Sequence, residues 1–363
     1  MKTGLKKILH IIDSLAVGGA ERLLVSVINN LPEFEHHLVI LSDKADLQPE
    51  LGPGCRVTKL GFRSKKDSFR CIRSIRKYTI EHGIDIVHSH LVMANIFARL
   101  ATPKGIPVFN SLHNLNGKKL FSSGFSWQRM LEKRTYRKRH HIIAVSQQVL
   151  DDYKRFIGIK GRATVLHNFV DNRFFAAAPR KAKLPGPLRT VAVGSFKPQK
   201  NYAFLVEAFR RLPAGITLDI YGDGPLKKEI EDTIREYGLT NIRLRGIHQQ
   251  VEQVFRDYDL YIMSSTMEGH PIALLEAMAA GMPVLVSDIP VLREATNNHS
   301  LYFNLDNPDD FTRKISDIAA GKTDLDHYAA YNLDYAGRIA RKDQYLERLK
   351  KLYLSEANPP DLA

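Results

Sequence analysis

The sequence predicts two doubly wound, Rossmann-like α/β domains built on parallel sheets. Three observations support this. Short apolar runs of strand length alternate with stretches of helical periodicity, the pattern of parallel sheets that bind ligands at the carboxyl ends of their strands. At 363 residues the chain is long enough for two domains of ordinary size. Between them, Arg173–Leu188 is rich in Ala, Pro and Lys and lacks periodicity, as a linker should. The expected domains are therefore residues 1–172 and 173–334, followed by a C-terminal segment, 335–363.

Composition narrows the class. With 44% apolar and 25% charged residues, the chain is a folded globular protein and not a disordered one. No apolar run approaches the length that crosses a bilayer. Two cysteines, Cys55 and Cys71, cannot build a metal framework and suit a reducing compartment. With no apolar, leader-like stretch before the first strand, the expected location is cytoplasmic. The net charge of +14 is unevenly placed: the first 180 residues hold 30 Lys and Arg against 14 Asp and Glu, the remainder 23 against 25. A basic first half favours an anionic partner there. Lipid headgroups, a phosphorylated acceptor and nucleic acid all qualify on charge alone.

In the first half, Lys7–Ile12 (KILHII) reads as a buried strand and Glu21–Asn30 as a helix with Leu23, Leu24, Val27 and Ile28 on its apolar face. Gly18 and Gly19 lie between them. They either let the backbone approach a phosphate at the helix start or make only a tight turn. His37–Leu41, Asp85–His88 and Val108–Leu112 are further strands, and Ser68–His82 and Met93–Ala101 are helices. His88, His90 and His113 fall at strand ends, where ligands bind. No carboxylate or cysteine accompanies them, so hydrogen-bonded histidines are a better expectation than a metal triad. Trp127–Arg139 reads as one helix. Its Arg129, Lys133, Arg134, Arg137, Lys138 and Arg139, with Lys118, Lys119, Phe121 and Phe125 nearby, suit an anionic membrane surface or a merely solvated basic face. Ile142–Val145 and Ala163–Leu166 are strands, with a helix at Gln147–Arg155 capped by Ser146.

In the second half, T-V-A-V-G-S-F-K-P-Q-K-N and a helix at Asn201–Arg211 give strand, glycine loop, basic residues and helix, which describes a phosphate site. Thr217–Tyr221, Asn241–Gly246 and Asp259–Met263 are strands, and Val251–Tyr258 is a helix. The stretch Met267–Pro290, MEGHPIALLEAMAAGMPVLVSDIP, is the most informative. Glu268 lies in a glycine-containing loop, and Pro271 suits the first position of a helix. Ile272–Ala280 forms that helix, Gly281 stops it, and Pro283–Ser287 is a strand. Glu276 falls about one and a half turns into the helix. Two carboxylates flanking a helix start, with its free N–H groups and positive dipole end, suit a ligand with a central diphosphate and hydroxyls at both ends. Val291–Ala295 is a short helix, Tyr302–Asn304 a short strand and Tyr335–Leu354 a final helix.

The string E-G-H-P-I-A-L-L-E, followed by A-M-A-A-G-x-P-V, resembles the signature of the retaining glycosyltransferases of family 4, the group 1 glycosyltransferases, which have the GT-B fold. The resemblance implies two Rossmann-like domains facing across a cleft, the first binding acceptor and the second donor, with the last helix crossing back to the first. It implies that Glu268 meets donor-sugar hydroxyls, that His113 touches the sugar near the reacting carbon, and that Lys200 grips the diphosphate. These three form the expected catalytic set. Glu276 would hold the ribose, and Gly18, Gly19, Gly194, Ser195, Pro271, Ile272 and Ala273 would complete the donor site. The sequence departs from the family at Ser195, where an Arg is usual, and at Phe169, which follows Asn168 in place of Gly.

The expectation is a retaining, hexosyltransferase-type enzyme. It moves a sugar from a nucleotide diphosphate donor, a UDP-sugar ahead of a GDP-sugar, to a glycan or lipid-linked acceptor in cell-surface polysaccharide synthesis. No separate cofactor, no divalent ion and no nucleic acid are expected; the basic half would rest on the inner face of the membrane. The alternatives are a GT-B sugar-nucleotide epimerase or phosphorylase and a non-catalytic sugar-nucleotide-binding module. A nucleic-acid binder would explain the charge but not the paired glutamates.

Overall fold

The computed structural model describes residues 5–115, 126–176 and 184–357. Lys118, Lys119, Phe121 and Phe125 lie outside them. The chain divides into two compact units, Met1–Asn168 with Asp343–Ala363, and Phe169–Lys342.

The first unit runs β1 (Lys6–Ile12), α1 (Gly19–Asn29), β2 (Phe34–Ile40), β3 (Arg56–Lys59), α2 (Ser68–Glu81), β4 (Ile86–His90), α3 (Val92–Ala101), β5 (Val108–Leu112), α4 (Trp127–Thr135), β6 (His140–Ala144), α5 (Gln147–Phe156) and β7 (Ala163–Val165). Its seven-stranded parallel sheet has the order β3-β2-β1-β4-β5-β6-β7. Strands β4, β5 and β6 are buried along their whole length, as expected of parallel strands covered on both faces. Strand β3 has no counterpart among the expected elements. It is a four-residue edge strand, RVTK, without a buried residue, so neither periodicity nor an apolar run marks it.

The helix expected over Trp127–Arg139 ends at Thr135. Tyr136 turns to an extended conformation and is fully buried, so Arg137, Lys138 and Arg139 leave the helix. A buried ion pair fixes α4. The Arg99 guanidinium of α3 meets Glu132 Oε2 at 2.5 Å, and the same oxygen accepts from Tyr153 at 2.7 Å. Arg99 also donates to Asn110 at 2.7 Å.

The second unit runs α6 (Asn172–Phe175), β8 (Leu188–Val193), α7 (Tyr202–Phe209), β9 (Ile216–Tyr221), α8 (Lys227–Glu236), β10 (Ile242–Gly246), α9 (Val251–Val254), β11 (Leu260–Met263), α10 (Ile272–Ala279), β12 (Val284–Ser287), α11 (Pro290–Ala295), β13 (Leu301–Phe303), α12 (Pro308–Ala319) and α13 (Leu325–Ile339). Its parallel sheet has the order β10-β9-β8-β11-β12-β13. Helix α10 buries Leu274, Leu275, Ala277, Met278 and Ala279 and packs against α13. Pro271 is its N-cap and not its first helical residue, with φ −74° and ψ 112°. Gly281 closes it in the left-handed conformation, φ +69°; its N–H bonds Met278 O and the Met282 N–H bonds Ala277 O.

The single helix expected at Tyr335–Leu354 is two, α13 and α14 (Lys342–Ala357). They break because the Ala340 carbonyl accepts from the Val170 N–H at 2.9 Å and Arg341 bridges to Val170, which an unbroken helix would forbid. From Asp343 onward α14 belongs to the first unit, where Tyr345, Leu349 and Tyr353 are buried. The Tyr353 ring packs edge-on against Phe34 and Phe109, and Lys350 pairs with Glu33 at 2.7 Å.

Candidate functional site

The site in the second unit grows from two adjacent parallel strands, β8 and β11. Their carboxyl ends deliver the loops that begin at Gly194 and Ser264. A Cβ on Gly222, after the neighbouring β9, would collide with the Gly194 carbonyl, so only glycine lets the β9 loop touch the β8 loop. The β8 loop closes with a short 3-10 turn at Pro198–Lys200, and Ser264 Oγ donates to the Lys200 carbonyl at 2.8 Å. The Lys200 stem lies over Gly194, where an added Cβ would be 3.2 Å from Lys200 Cε. Lys200 Nζ then meets Glu268 Oε1 at 2.6 Å, and Ser265 Oγ donates to the same oxygen at 2.7 Å. Ser265 is held in turn by Ser287, whose hydroxyl bonds its carbonyl.

Gly194, Lys200 and Glu268 are thus brought together, although 68 residues separate the two charges. Ser265 was not among the expected residues; a serine at a strand's carboxyl end, three residues before Glu268, is the signal that marks it. Pro271, Ile272 and Ala273 follow Glu268 at the start of α10, and half-buried Glu276 lies on the same helix. Burial pushes the Tyr261 phenol well above its ordinary value, with further contributions from Tyr202, Glu268 and Glu276, so both glutamates share one electrostatic neighbourhood. Ser195 is half-buried, and its carbonyl accepts from the N–H of exposed Lys197.

The remaining candidates lie in the first unit. Gly18 is the extended N-cap of α1 and Gly19 its first residue, and the Glu21 carboxylate folds back over Gly18. His113 follows β5 and lines a pocket of about 260 Å³ together with Asp13, Leu91, Met93, Asn95 and Ser111. Burial lowers the His113 pKa to about 4. Leu91 holds φ +75°, an uncommon conformation for a branched residue and one that clusters at functional sites. Asp13, directly after β1, accepts from the Ala94 N–H at 2.7 Å. Burial raises its carboxyl to about 6 against the lowering effect of the Ala94 and Met93 N–H groups. A carboxylate directly after an apolar strand was its sequence signal.

His88 and His90 are buried on β4, with His10 beside them on β1. Ligand atoms of His10, His88 and His90 come within 4.8 Å of one another. Both His88 nitrogens are already engaged, Nδ1 with the Tyr353 hydroxyl at 2.6 Å and Nε2 with Ser111 Oγ at 2.8 Å. His10 Nε2 is held by His36 at 3.0 Å. Hydrogen bonds thus engage both nitrogens of His88 and one of His10, while His10 Nδ1 and His90 Nε2 are buried without a hydrogen-bond partner. Each of the Asp-x-Asp spacings at 257–259 and 324–326 has one member engaged in the fold. Asp259 accepts the Arg189 N–H at the far end of the sheet from the site, and Asp324 caps α13.

Comparison with known proteins bears on both units. Residues 17–174 match the family model described as glycosyltransferase family 4, and residues 176–333 match glycosyl transferases group 1. EpsF of Bacillus subtilis is 27% identical over 316 residues, 79% of this chain and 80% of EpsF. The N-acetylgalactosamine-N,N'-diacetylbacillosaminyl-diphospho-undecaprenol 4-alpha-N-acetylgalactosaminyltransferase of Campylobacter jejuni is 24% identical over 306 residues, 76% of this chain and 79% of that enzyme. Among solved structures, HepE of Anabaena in complex with UDP superposes with a TM-score of 0.82 at 16% identity, covering 96% of this chain and 100% of HepE. By its two family matches, its paired glutamates and its two parallel-sheet units, the chain belongs to the group 1 glycosyltransferases and has their GT-B fold.

Proposed function

We propose that this glycosyltransferase moves a hexose, with retention, from a UDP-sugar to a glycan or lipid-linked acceptor in cell-surface polysaccharide synthesis. The observation that carries the reading is the Lys200–Glu268–Ser265 cluster set against the start of α10, with Glu276 on the same helix. A sugar diphosphate presents groups that this arrangement can bind, a dianion for Lys200 and the α10 N–H groups and hydroxyls for the two carboxylates. Positive charge at that place would stabilise the departing diphosphate, which is where charge develops during transfer. Glu268 and His113 would orient the sugar, and Glu276 would hold the ribose. The family mechanism, in which the leaving phosphate assists attack on the same face, needs no protein nucleophile and no divalent ion.

HepE has been solved with UDP and with UDP-glucose, and the Campylobacter relative is named for transfer to a diphospho-undecaprenol acceptor, which supports the UDP and lipid-linked parts of the reading. No helix among the described residues is long and apolar enough to cross a membrane, so a membrane-borne acceptor would be met at the surface. Five of the basic residues near α4, Lys133, Arg134, Arg137, Lys138 and Arg139, are exposed there. Ser195 in place of the usual Arg favours a second reading, a binding module without turnover.

The test is a panel of UDP- and GDP-hexoses scored by thermal shift. UDP release is then measured with and without a lipid-linked acceptor and with EDTA, and the anomeric proton of the product is read by NMR. Glu276→Ala should weaken UDP binding, and Glu268→Ala should slow turnover more than it weakens UDP. Stabilisation without any UDP release would establish the binding module, and an inverted product or strict dependence on restored metal would overturn the mechanism.

A further inference from the structure

Neutral histidine offers one donor and one acceptor nitrogen, so what His113 can do to a ligand depends on which nitrogen holds the proton. We infer that His90 sets this tautomer: it donates from Nδ1 to His113 Nε2, leaving His113 to present an Nδ1–H donor to the sugar. The inference rests on the reading above that His113 meets the donor.

The two rings approach at 3.2 Å, His90 Nδ1 to His113 Nε2, so one proton lies between them. His90 is 2% exposed, and its other nitrogen, Nε2, is buried without a hydrogen-bond partner. Only two neutral arrangements exist. If His113 donated from Nε2, His90 would accept at Nδ1 and its own proton would sit on Nε2, a buried N–H with nothing to bond. If His90 donates from Nδ1, its Nε2 is left only as an unused lone pair. Orphaned buried N–H groups are rarer than under-satisfied acceptors, which favours the arrangement without a stranded donor. Burial disfavours the doubly protonated form of His90, as would repulsion from a protonated His88 or His113.

The second arrangement makes His113 Nε2 an acceptor and puts its proton on Nδ1. Among the described residues Nδ1 of His113 has no hydrogen-bond partner, and His113 lines the pocket beside Asp13 and Asn95. His113 then acts as a hydrogen-bond donor to a sugar oxygen and not as a base. His90 itself touches no substrate and is a positioning residue.

Long-range proton–nitrogen correlation spectra of the 15N-labelled full chain, with His113 assigned from His113→Gln, test this directly. The expected pattern is a protonated Nδ1 and a bare Nε2; the reverse pattern in the wild type overturns the inference. His90→Asp supplies only an acceptor at the Nδ1 position and should flip His113 to the Nε2–H form, with a loss of about tenfold in kcat and little change in UDP affinity. His90→Asn, whose amide N–H can take the place of Nδ1–H, should restore the wild-type pattern and most of that loss. Equal losses for the Asp and Asn variants with unchanged His113 spectra would also overturn it. If His90→Asp does not fold, the wild-type spectrum still decides. If His113→Gln transfers sugar normally, the donor reading fails, whatever tautomer is found.

Discussion

Replacing Lys200 with Ala separates recognition of the diphosphate from support of the fold. Lys200 and Glu268 pair at 2.6 Å with side chains only 16% and 12% exposed, so the bond is largely shielded from solvent. A diphosphate entering the site competes with Glu268 for the same ammonium. Charge-assisted hydrogen bonds at such depth contribute about 1.5–3 kcal/mol, which corresponds to roughly tenfold to a hundredfold in affinity. The variant should therefore lose that factor for UDP and UDP-sugar while binding uridine nearly as before. Glu268 would be left with the Ser265 hydroxyl, a stability loss of about 1–3 kcal/mol. Glu268→Gln removes the competing carboxylate and should not weaken UDP, although turnover should fall. Calorimetric titration of all three proteins with uridine, UDP and UDP-sugar reads these terms separately. Equal loss for uridine and UDP would mean that Lys200 acts through folding, and unchanged UDP affinity would remove it from the donor site.

Three further outcomes follow from the first unit. Glu132→Ala strands Arg99 in the core and should cost about 3–5 kcal/mol in urea unfolding followed by Trp127, the only tryptophan, which lies on the same helix; a loss below about 1 kcal/mol would mean that the ion pair is not what fixes α4. His10, His36, His37, His88, His90, His113 and His140 all have pKa values lowered, first by burial. The unfolded chain therefore binds more protons below about 6.5, and stability present at neutral pH is lost on acidification. His113, lowered to about 4, accounts for about 3 kcal/mol of this, partly offset by Asp13, whose raised pKa acts in the opposite sense between about 6 and its unfolded value. The same Trp127 signal should show a lower urea midpoint near pH 5 than near pH 7.5, and a flat profile would contradict the buried neutral histidines. Replacing exposed Lys133, Arg134, Arg137 and Lys138 with Gln should remove about 1 kcal/mol each of attraction to anionic vesicles. High salt should mimic that change and donor hydrolysis should survive it; wild-type protein that ignores such vesicles at low salt would exclude the membrane role.

The sequence by itself determined the alternation of strand and helix, because buried parallel strands are continuous apolar runs and their helices carry a 3.6-residue period. It also determined the glycosyltransferase stretch around Glu268 and Glu276, since helix start, carboxylates and glycine stop all fall within 24 consecutive residues. Strand β3 and the break at Ala340–Arg341 were not legible. The first is an edge with no apolar pattern, and the second exists only because the distant Val170 takes the Ala340 carbonyl. Tertiary structure alone decided the partners of the charged groups. Lys200 meets Glu268 across 68 residues because β8 and β11 are neighbours in the sheet. His90 meets His113 because β4 and β5 pair in register, placing His90 opposite Ser111. Hydrogen bonds between residues far apart depend on strand order and on which nitrogen or oxygen faces which, and neither is written in local periodicity.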